Sequence, residues 1–134
     1  MALDMLDEEK QDGEAQAFVM EALAVQTDAA AVSISTRMKE SRDSAEACLS
    51  ALEQAIHHAI LVRTGQLDIQ SISHYPPLWQ KAALQAPVME LNALLTAVFD
   101  TRKRKAGQVN WQSNIDHLMM RLLEEHRKWQ QSLA

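Results

Sequence analysis

The stretch RKRKAGQVNW, residues 102–111, sets four consecutive cations before a glycine, an asparagine and a tryptophan. Cations are favoured in the last turns of a helix because they oppose the negative end of the helix dipole. Gly107 allows the chain to turn, and Asn110 is a good N-cap for a following helix. The stretch therefore predicts the junction between two helices.

Apolar residues recur at helical spacing on both sides of this junction. Pro87 is well placed in the first turn of the preceding helix, which we expect to end near Gly107. The buried stripe of that helix is predicted to be Val88, Leu91, Leu94, Leu95 and Val98. The buried stripe of the closing helix is predicted to be Ile115, Leu118, Met119, Leu122 and Leu123.

The middle of the chain carries a third strong helical pattern. Asp43 with Glu46 three residues later is a capping-box-like start, and Gly65 is a helix stop. Between them one face stays apolar through Cys48, Leu52, Ala55, Ile56, Ala59 and Val62. Residues 66–76 are predicted to be a connector, with at most a scrap of strand near residues 67–72. Pro77 then opens a short helix through Gln85.

The amino-terminal part is more weakly patterned. Residues 1–13 are acidic and are predicted to be a flexible lead-in or the frayed start of a helix. Residues 14–26 predict a short amphipathic helix, and Thr27 or Asp28 can cap another through about Glu40. Residues 14–134 are thus expected to form one domain, an all-α bundle of five or six helices.

The composition supports a single domain without cofactors. The chain has 134 residues, of which 47% are hydrophobic, and only three glycines and three prolines. Cys48 is the single cysteine, so no intramolecular disulfide is possible and a cytoplasmic setting is expected. We predict no membrane segment, no glycine-rich phosphate loop and no metal site; Glu53 and His57, four residues apart, are too few ligands.

Charge is distributed unevenly along the chain. The net charge is −5. Up to Glu46 there are eleven acids against four bases, whereas from Leu61 onward there are nine bases against six acids. An acidic chain argues against a dedicated nucleic-acid-binding domain. Four successive helical residues also point in all directions, so a solvated helix end or a subunit contact is favoured for Arg102, Lys103, Arg104 and Lys105 over DNA contact.

Catalysis is the function class with the least support. Asp116 and His117 have no nucleophile placed beside them by a recognisable motif. Trp79, Trp111 and Trp129 are predicted to pack in the core, with Trp129 the best candidate of the three for an interface.

Three segments taken together resemble a known family. They are LVRTGQ at 61–66, the helix ending AVFDTR at 97–102, and VNW at 109–111 followed by HLMMRLL at 117–123. Their order is similar to the carboxy-terminal collar domain of the bacterial DNA polymerase III clamp loader, most closely that of delta-prime subunits. The resemblance covers about residues 59–123. Gln108 stands where the family has the first asparagine of an Asn-Val-Asn turn, and Trp111 is larger than expected there.

The resemblance implies an all-α collar domain that holds a five-subunit ring together. Its partners would be the collar domains of delta and gamma/tau subunits, and it would meet primed DNA and the sliding clamp only through the whole complex. It would be no enzyme itself, although the parent holoenzyme is a DNA polymerase complex. The ATPase-type domains of delta-prime proteins are missing, so we expect a fragment, monomeric in isolation. Candidate subunit-interface or DNA-proximal residues are Arg63, Arg102, Lys103, Arg104, Lys105, Trp111 and Trp129.

Two alternatives remain open. The chain could be the oligomerisation tail of another replication or recombination ring ATPase, which would self-associate as a homotetramer. It could also be a small helical domain that binds nucleic acid through Arg63 and residues 102–105, with a salt-dependent affinity.

Overall fold

The computed structural model describes residues 2–38, 44–106 and 110–133, and these residues form six α-helices. The helices are α1 Ala2–Leu23, α2 Asp28–Met38, α3 Ala45–Arg63, α4 Pro77–Gln85, α5 Val88–Ala106 and α6 Trp111–Ser132. A short 3-10 helix, Ile69–Ile72, lies between α3 and α4. The described residues contain no strand. The prediction of an all-α bundle is therefore confirmed.

Helix α3 is central to the bundle, with α1, α4 and α5 packed against it. Helix α6 packs mainly against α2 and α5. All six apolar positions predicted for α3 are buried, and so are the five predicted for α6. These two helices therefore supply much of the core, because each presents its apolar stripe to several neighbours.

Helix α5 differs from its predicted pattern at the amino-terminal end. Leu91, Leu94 and Val98 are fully buried and Leu95 is half-buried. Val88, however, is 38% exposed. The stripe prediction is wrong for Val88, since this residue lies about 60–120° around the helix from the buried Leu91, Leu94 and Val98, at the edge of the stripe.

Local capping signals place several helix ends. The Asn110 side chain accepts a 3.1 Å hydrogen bond from the backbone N–H of Ser113, as expected for the N-cap of α6. Thr27 caps α2 in the same manner through the N–H of Ala30. Gly65, with φ of 81°, ends α3, because glycine enters the left-handed region without the strain of a side chain. The predicted caps at Asn110, Thr27 and Gly65 are confirmed.

The structure differs from the predicted start of the first helix, and two predicted helix ends lie outside the described residues. Helix α1 begins at Ala2 and is continuous through Leu23, so it includes the acidic residues ahead of position 14. Asp43, the predicted cap of α3, lies outside the described residues, as does Gly107. Ser44 precedes α3 without capping it, and its hydroxyl contacts a carboxylate oxygen of Glu14 on α1 instead.

The connector between α3 and α4 is helical and not extended. The possible strand near residues 67–72 is wrong, because Asp68 accepts a 3.1 Å bond from the N–H of Gln70 and starts the 3-10 helix. Tyr75 fixes the end of the connector to α3 through a 3.0 Å bond from its hydroxyl to the Ala55 carbonyl. Pro77 then lies in the first turn of α4, as predicted.

Candidate functional site

The first cation of the basic run, Arg102, joins α5 to α3. Its guanidinium lies 2.5 Å from a carboxylate oxygen of Glu53 and 3.0 Å from one of Glu46, and it also contacts the Ser50 hydroxyl. Glu46, Ser50 and Glu53 are spaced four and three residues apart, which places them on one face of α3. The side chain of Arg102 is only 24% exposed. Arg102 is therefore occupied by contacts within the chain.

The next cations lie in a different environment. Lys103 and Arg104 are exposed, and neither forms an ion pair with another described residue. The side chain of Lys105 and residues 107–109 lie outside the described part of the chain. The three described cations, Arg102, Lys103 and Arg104, do not form one cluster, since successive helical positions face different directions.

Arg63, the last residue of α3, was also a candidate for contact with a partner subunit or DNA. Its Nε donates a 2.6 Å hydrogen bond to the carbonyl of Ala86, which follows α4. Ala86 is fully buried, whereas Arg63 is half-buried. The contact holds the end of α3 against the turn between α4 and α5. Arg63 and Arg102 thus each connect α3 to another part of the fold, and each has different partners.

The tryptophans are buried within the chain. Trp111 is 7% exposed and donates a 2.7 Å hydrogen bond to the Met38 carbonyl at the end of α2. Trp129 is fully buried, and its Nε1 donates to a carboxylate oxygen of Glu90 at 2.9 Å. Trp79 is also fully buried. Core packing describes all three, and none presents its indole at the surface of this chain as an interface anchor would.

A buried polar cluster around His126 was not anticipated from the sequence. Nε2 of His126 accepts a 2.8 Å hydrogen bond from the Trp79 indole, and Nδ1 lies 2.7 Å from the Val25 carbonyl, to which it donates. This pairing defines the neutral Nδ1–H tautomer. Burial lowers the pKa of His126, and the bond to Val25 opposes that shift only partly. The sequence signal for burial of His126 was its helical spacing. Met119, Leu122, His126 and Trp129 are three or four residues apart and continue the buried stripe of α6.

Charged groups flank this cluster at the start of α5. Lys128 lies 2.8 Å from a carboxylate oxygen of Glu90 and 4.0 Å from one of Glu125. The bond from Lys128 lowers the pKa of Glu90, and the Trp129 indole adds to the effect. Glu125 is buried and also receives a 3.1 Å hydrogen bond from Arg121. The contacts of Glu90 with Lys128 and Trp129 connect α5 to α6, whereas the ion pairs of Glu125 lie within α6.

The residues considered for a catalytic or metal site lie in separate surroundings. The described residues contain no cluster of three or more potential metal ligands. Glu53 is held by Arg102, and His57 is exposed. Asp116 accepts a 3.3 Å bond from the Ser35 hydroxyl. Cys48 is fully buried, and burial, followed by the Glu14 carboxylate, raises the pKa of its thiol to about 11, so the reactive thiolate is scarce at neutral pH.

A set of exposed apolar side chains marks the outer face of α5. Met89 is 82% exposed, Phe99 is 44% exposed, and Val88 lies beside Met89. At about 100° per residue, Met89 lies nearly opposite the buried Leu91, whereas Phe99 is about 80° around the helix from Met89 and about 15 Å further along it. Exposed apolar side chains of this size on one helix are candidates for contact with a partner.

None of the helices formed by the described residues combines the length and apolarity needed to cross a bilayer. Comparison of the chain with protein-family models, with curated proteins and with solved structures finds no match. Because no relative indicates a site, the candidate functional surface is chosen from the structure alone. It comprises the exposed apolar side chains of α5 and the nearby cations Lys103 and Arg104.

Proposed function

We propose that this chain is a scaffold domain of the clamp-loader collar type, most similar to that of delta-prime subunits, which holds a ring of subunits together through its helix surfaces. The six-helix, all-α architecture is the one that the family resemblance implies. Arg63, Arg102, Trp111 and Trp129 act within the domain, because their polar groups are bonded to other helices or turns.

The observation that carries the proposal is the exposed apolar face of α5. Met89 is 82% exposed and Phe99 is 44% exposed, and Val88, 38% exposed, adds a third apolar side chain on the same helix. Burying such side chains against a neighbour contributes about 25 cal/mol per Å2 of apolar surface. The proposed partners are the collar domains of delta and gamma/tau subunits, and DNA and the sliding clamp are reached only through the assembled complex.

The proposal is tested by measuring affinity for isolated delta and gamma/tau collar regions by biolayer interferometry. A double variant, Met89→Lys with Phe99→Lys, should weaken binding by at least about tenfold, equivalent to about 1.4 kcal/mol, because two cations then face an apolar contact. Val32→Lys is the matched control, since Val32 is 52% exposed on α2, away from α5. Absence of binding by the unmodified chain at micromolar concentration would overturn the proposal.

Nucleic-acid binding is the second candidate, favoured by the two exposed cations without ion pairs, Lys103 and Arg104. Replacing Lys103, Arg104 and Lys105 by serine should then abolish a salt-dependent affinity for single-stranded DNA. Arg102 is left in place because it joins α5 to α3. Light scattering tests the remaining alternative, as an oligomerisation tail should form a homotetramer whereas a lone collar domain should be monomeric.

A further inference from the structure

Helix α4 is docked to the bundle largely through one side chain. It buries Trp79, Ala82 and Ala83, and the two alanines are small. The Trp79 ring is fully buried and meets Trp129 of α6 edge to face. Its indole N–H ends on Nε2 of His126, also on α6. The position of α4 therefore depends on a tryptophan whose polar end is held by a histidine.

Two further polar contacts hold the ends of this segment. The Tyr75 hydroxyl, two residues before α4, donates to the Ala55 carbonyl of α3 at 3.0 Å. After α4, the Ala86 carbonyl accepts a 2.6 Å bond from Arg63 of α3. Neither contact uses His126. The middle contact can therefore be lost while the chain on both sides of α4 stays anchored to α3.

The two ring nitrogens of His126 respond differently to a proton. Nδ1 already donates to the Val25 carbonyl, in the turn between α1 and α2, and a positive ring strengthens that bond. Nε2 accepts from Trp79, and it becomes a donor once it is protonated, so two N–H groups then face each other. Protonation thus favours the contact with the α1–α2 turn and disfavours the contact with α4.

On the elements around His126, charged groups form ion pairs with one another. The pairs are Glu21 of α1 with Arg37 of α2 at 2.6 Å, Asp28 of α2 with Arg127 of α6 at 3.3 Å, Glu90 of α5 with Lys128 of α6 at 2.8 Å, and Arg121 with Glu125 within α6 at 3.1 Å. Lys81 is the charged residue of α4, and it is exposed. Burial is the largest cause of the lowered pKa of His126, and the bond to Val25 acts in the opposite direction. Proton uptake by the ring is therefore linked to its release from the buried site.

We propose that His126 is a pH-sensitive latch on α4. When Nε2 takes up a proton from solvent, the Trp79 indole is released and α4 undocks from α6, while Nδ1 stays on Val25 and the rest of the bundle remains folded. The opening is local because α4 has nine residues and its flanking contacts are unchanged. It uncovers an indole that is otherwise fully buried. The latch does not depend on the scaffold function.

Hydrogen exchange of the 15N-labelled chain, followed by NMR between pH 7.5 and 5, tests the latch. Protection factors are compared, because they remove the intrinsic effect of pH on exchange. The α4 amides and the Trp79 indole should lose protection by up to about tenfold for each pH unit below about 6.5, since opening takes up one proton. The amides of α3 should stay at least about tenfold better protected. Urea at about 1 M should change α4 exchange little, because a local opening exposes little surface.

The substitution His126→Gln is the matched variant, since its amide can accept from the indole and donate to Val25 without taking up a proton. It should remove the pH dependence of α4 protection. His117→Gln, at an exposed position of α6, should preserve that dependence. Circular dichroism verifies that both variants are folded.

Equal protection of α3 and α4 at pH 5, with the same response to urea, would show that the bundle opens as one unit and that the latch is wrong. Protection of α4 that does not change with pH, or an unchanged pH dependence in His126→Gln, would equally overturn it. If His126→Gln does not fold, the unmodified chain decides, because the comparison of α3 with α4 needs no substitution.

Discussion

The indole N–H of Trp79 donates a 2.8 Å hydrogen bond to Nε2 of His126, linking α4 to α6 inside the core. The histidine uses its other nitrogen on the Val25 carbonyl, so both ring nitrogens are satisfied only when the ring is neutral. Protonation of Nε2 would place a hydrogen against the indole hydrogen and a positive charge in a buried site. This one contact therefore makes the stability of the bundle dependent on pH.

The free energy of unfolding is expected to fall as the pH is lowered through about 6.5, the ordinary pKa of histidine. Burial lowers the pKa of His126, so below that pH the unfolded chain takes up a proton that the folded chain does not. The loss continues until the pH reaches the lowered folded-state pKa, with a slope from this group of at most about 1.4 kcal/mol per pH unit. Urea unfolding between pH 7.5 and 5 measures it.

The His126 contribution is isolated by substitution. His126→Gln should lower stability at pH 7.5 and flatten the slope, because the titrating ring is gone. His117→Gln on the same helix is the control, since His117 is exposed. An unchanged slope in His126→Gln would show that another group is responsible.

Arg102→Ala is expected to lower the free energy of unfolding by about 1–2 kcal/mol, because a partly buried charge-assisted contact is lost and Glu53 is left without it. Lys103→Ala should change it by less than about 0.5 kcal/mol, as expected for an exposed position. Both are measured from urea midpoints at neutral pH. Equal midpoints for the two variants would contradict the distinct roles assigned to these neighbouring cations.

The two described glycines should respond in opposite directions to alanine. Gly65→Ala should destabilise by about 1–2 kcal/mol, because φ is 81° there and the left-handed region is strained for any side chain. Gly13→Ala should stabilise by about 0.5–1 kcal/mol, since Gly13 lies within α1 and an added Cβ meets nothing within 4 Å. Thermal melts compare them. A gain in stability at Gly65 would show that the end of α3 is not held in that conformation.

Cys48 is expected to resist thiol reagents in the native chain. It is fully buried, and burial raises the pKa of its thiol to about 11. Ellman's reagent at pH 8 should therefore react only after unfolding in urea, where one equivalent per chain should be released. Complete reaction within minutes under native conditions would indicate that the α1–α3 contact opens readily.

Local patterns in the sequence were sufficient for most of the helices. The boundaries of α4 and the caps at Thr27 and Asn110 depend on residues within a few positions of one another, and so does the apolar period of α3. What the sequence could not supply was the pairing of distant residues. Arg102 and Glu53 are 49 positions apart, and Val25 and His126 are 101 positions apart.

The candidate site was harder to predict for the same reason. A run of four cations has the same composition whether or not one of them is held by carboxylates of another helix. Val88 continues the α5 stripe by spacing alone, yet it is 38% exposed, whereas Leu91, three residues further on, is fully buried. Trp129 near the chain end was a reasonable interface candidate, and only the packing of α4 and α5 over α6 removes it from the surface.

The burial of the tryptophans has an optical consequence. Trp79 and Trp129 meet edge to face with ring centroids 5.0 Å apart and an angle of 87° between their planes, a geometry suited to coupled electronic transitions in the near ultraviolet. Trp111, bonded to the Met38 carbonyl, lies instead at the contact of α6 with the end of α2. The chain thus carries its own spectroscopic labels for the core and for this contact, and its unfolding can be followed without attaching a dye.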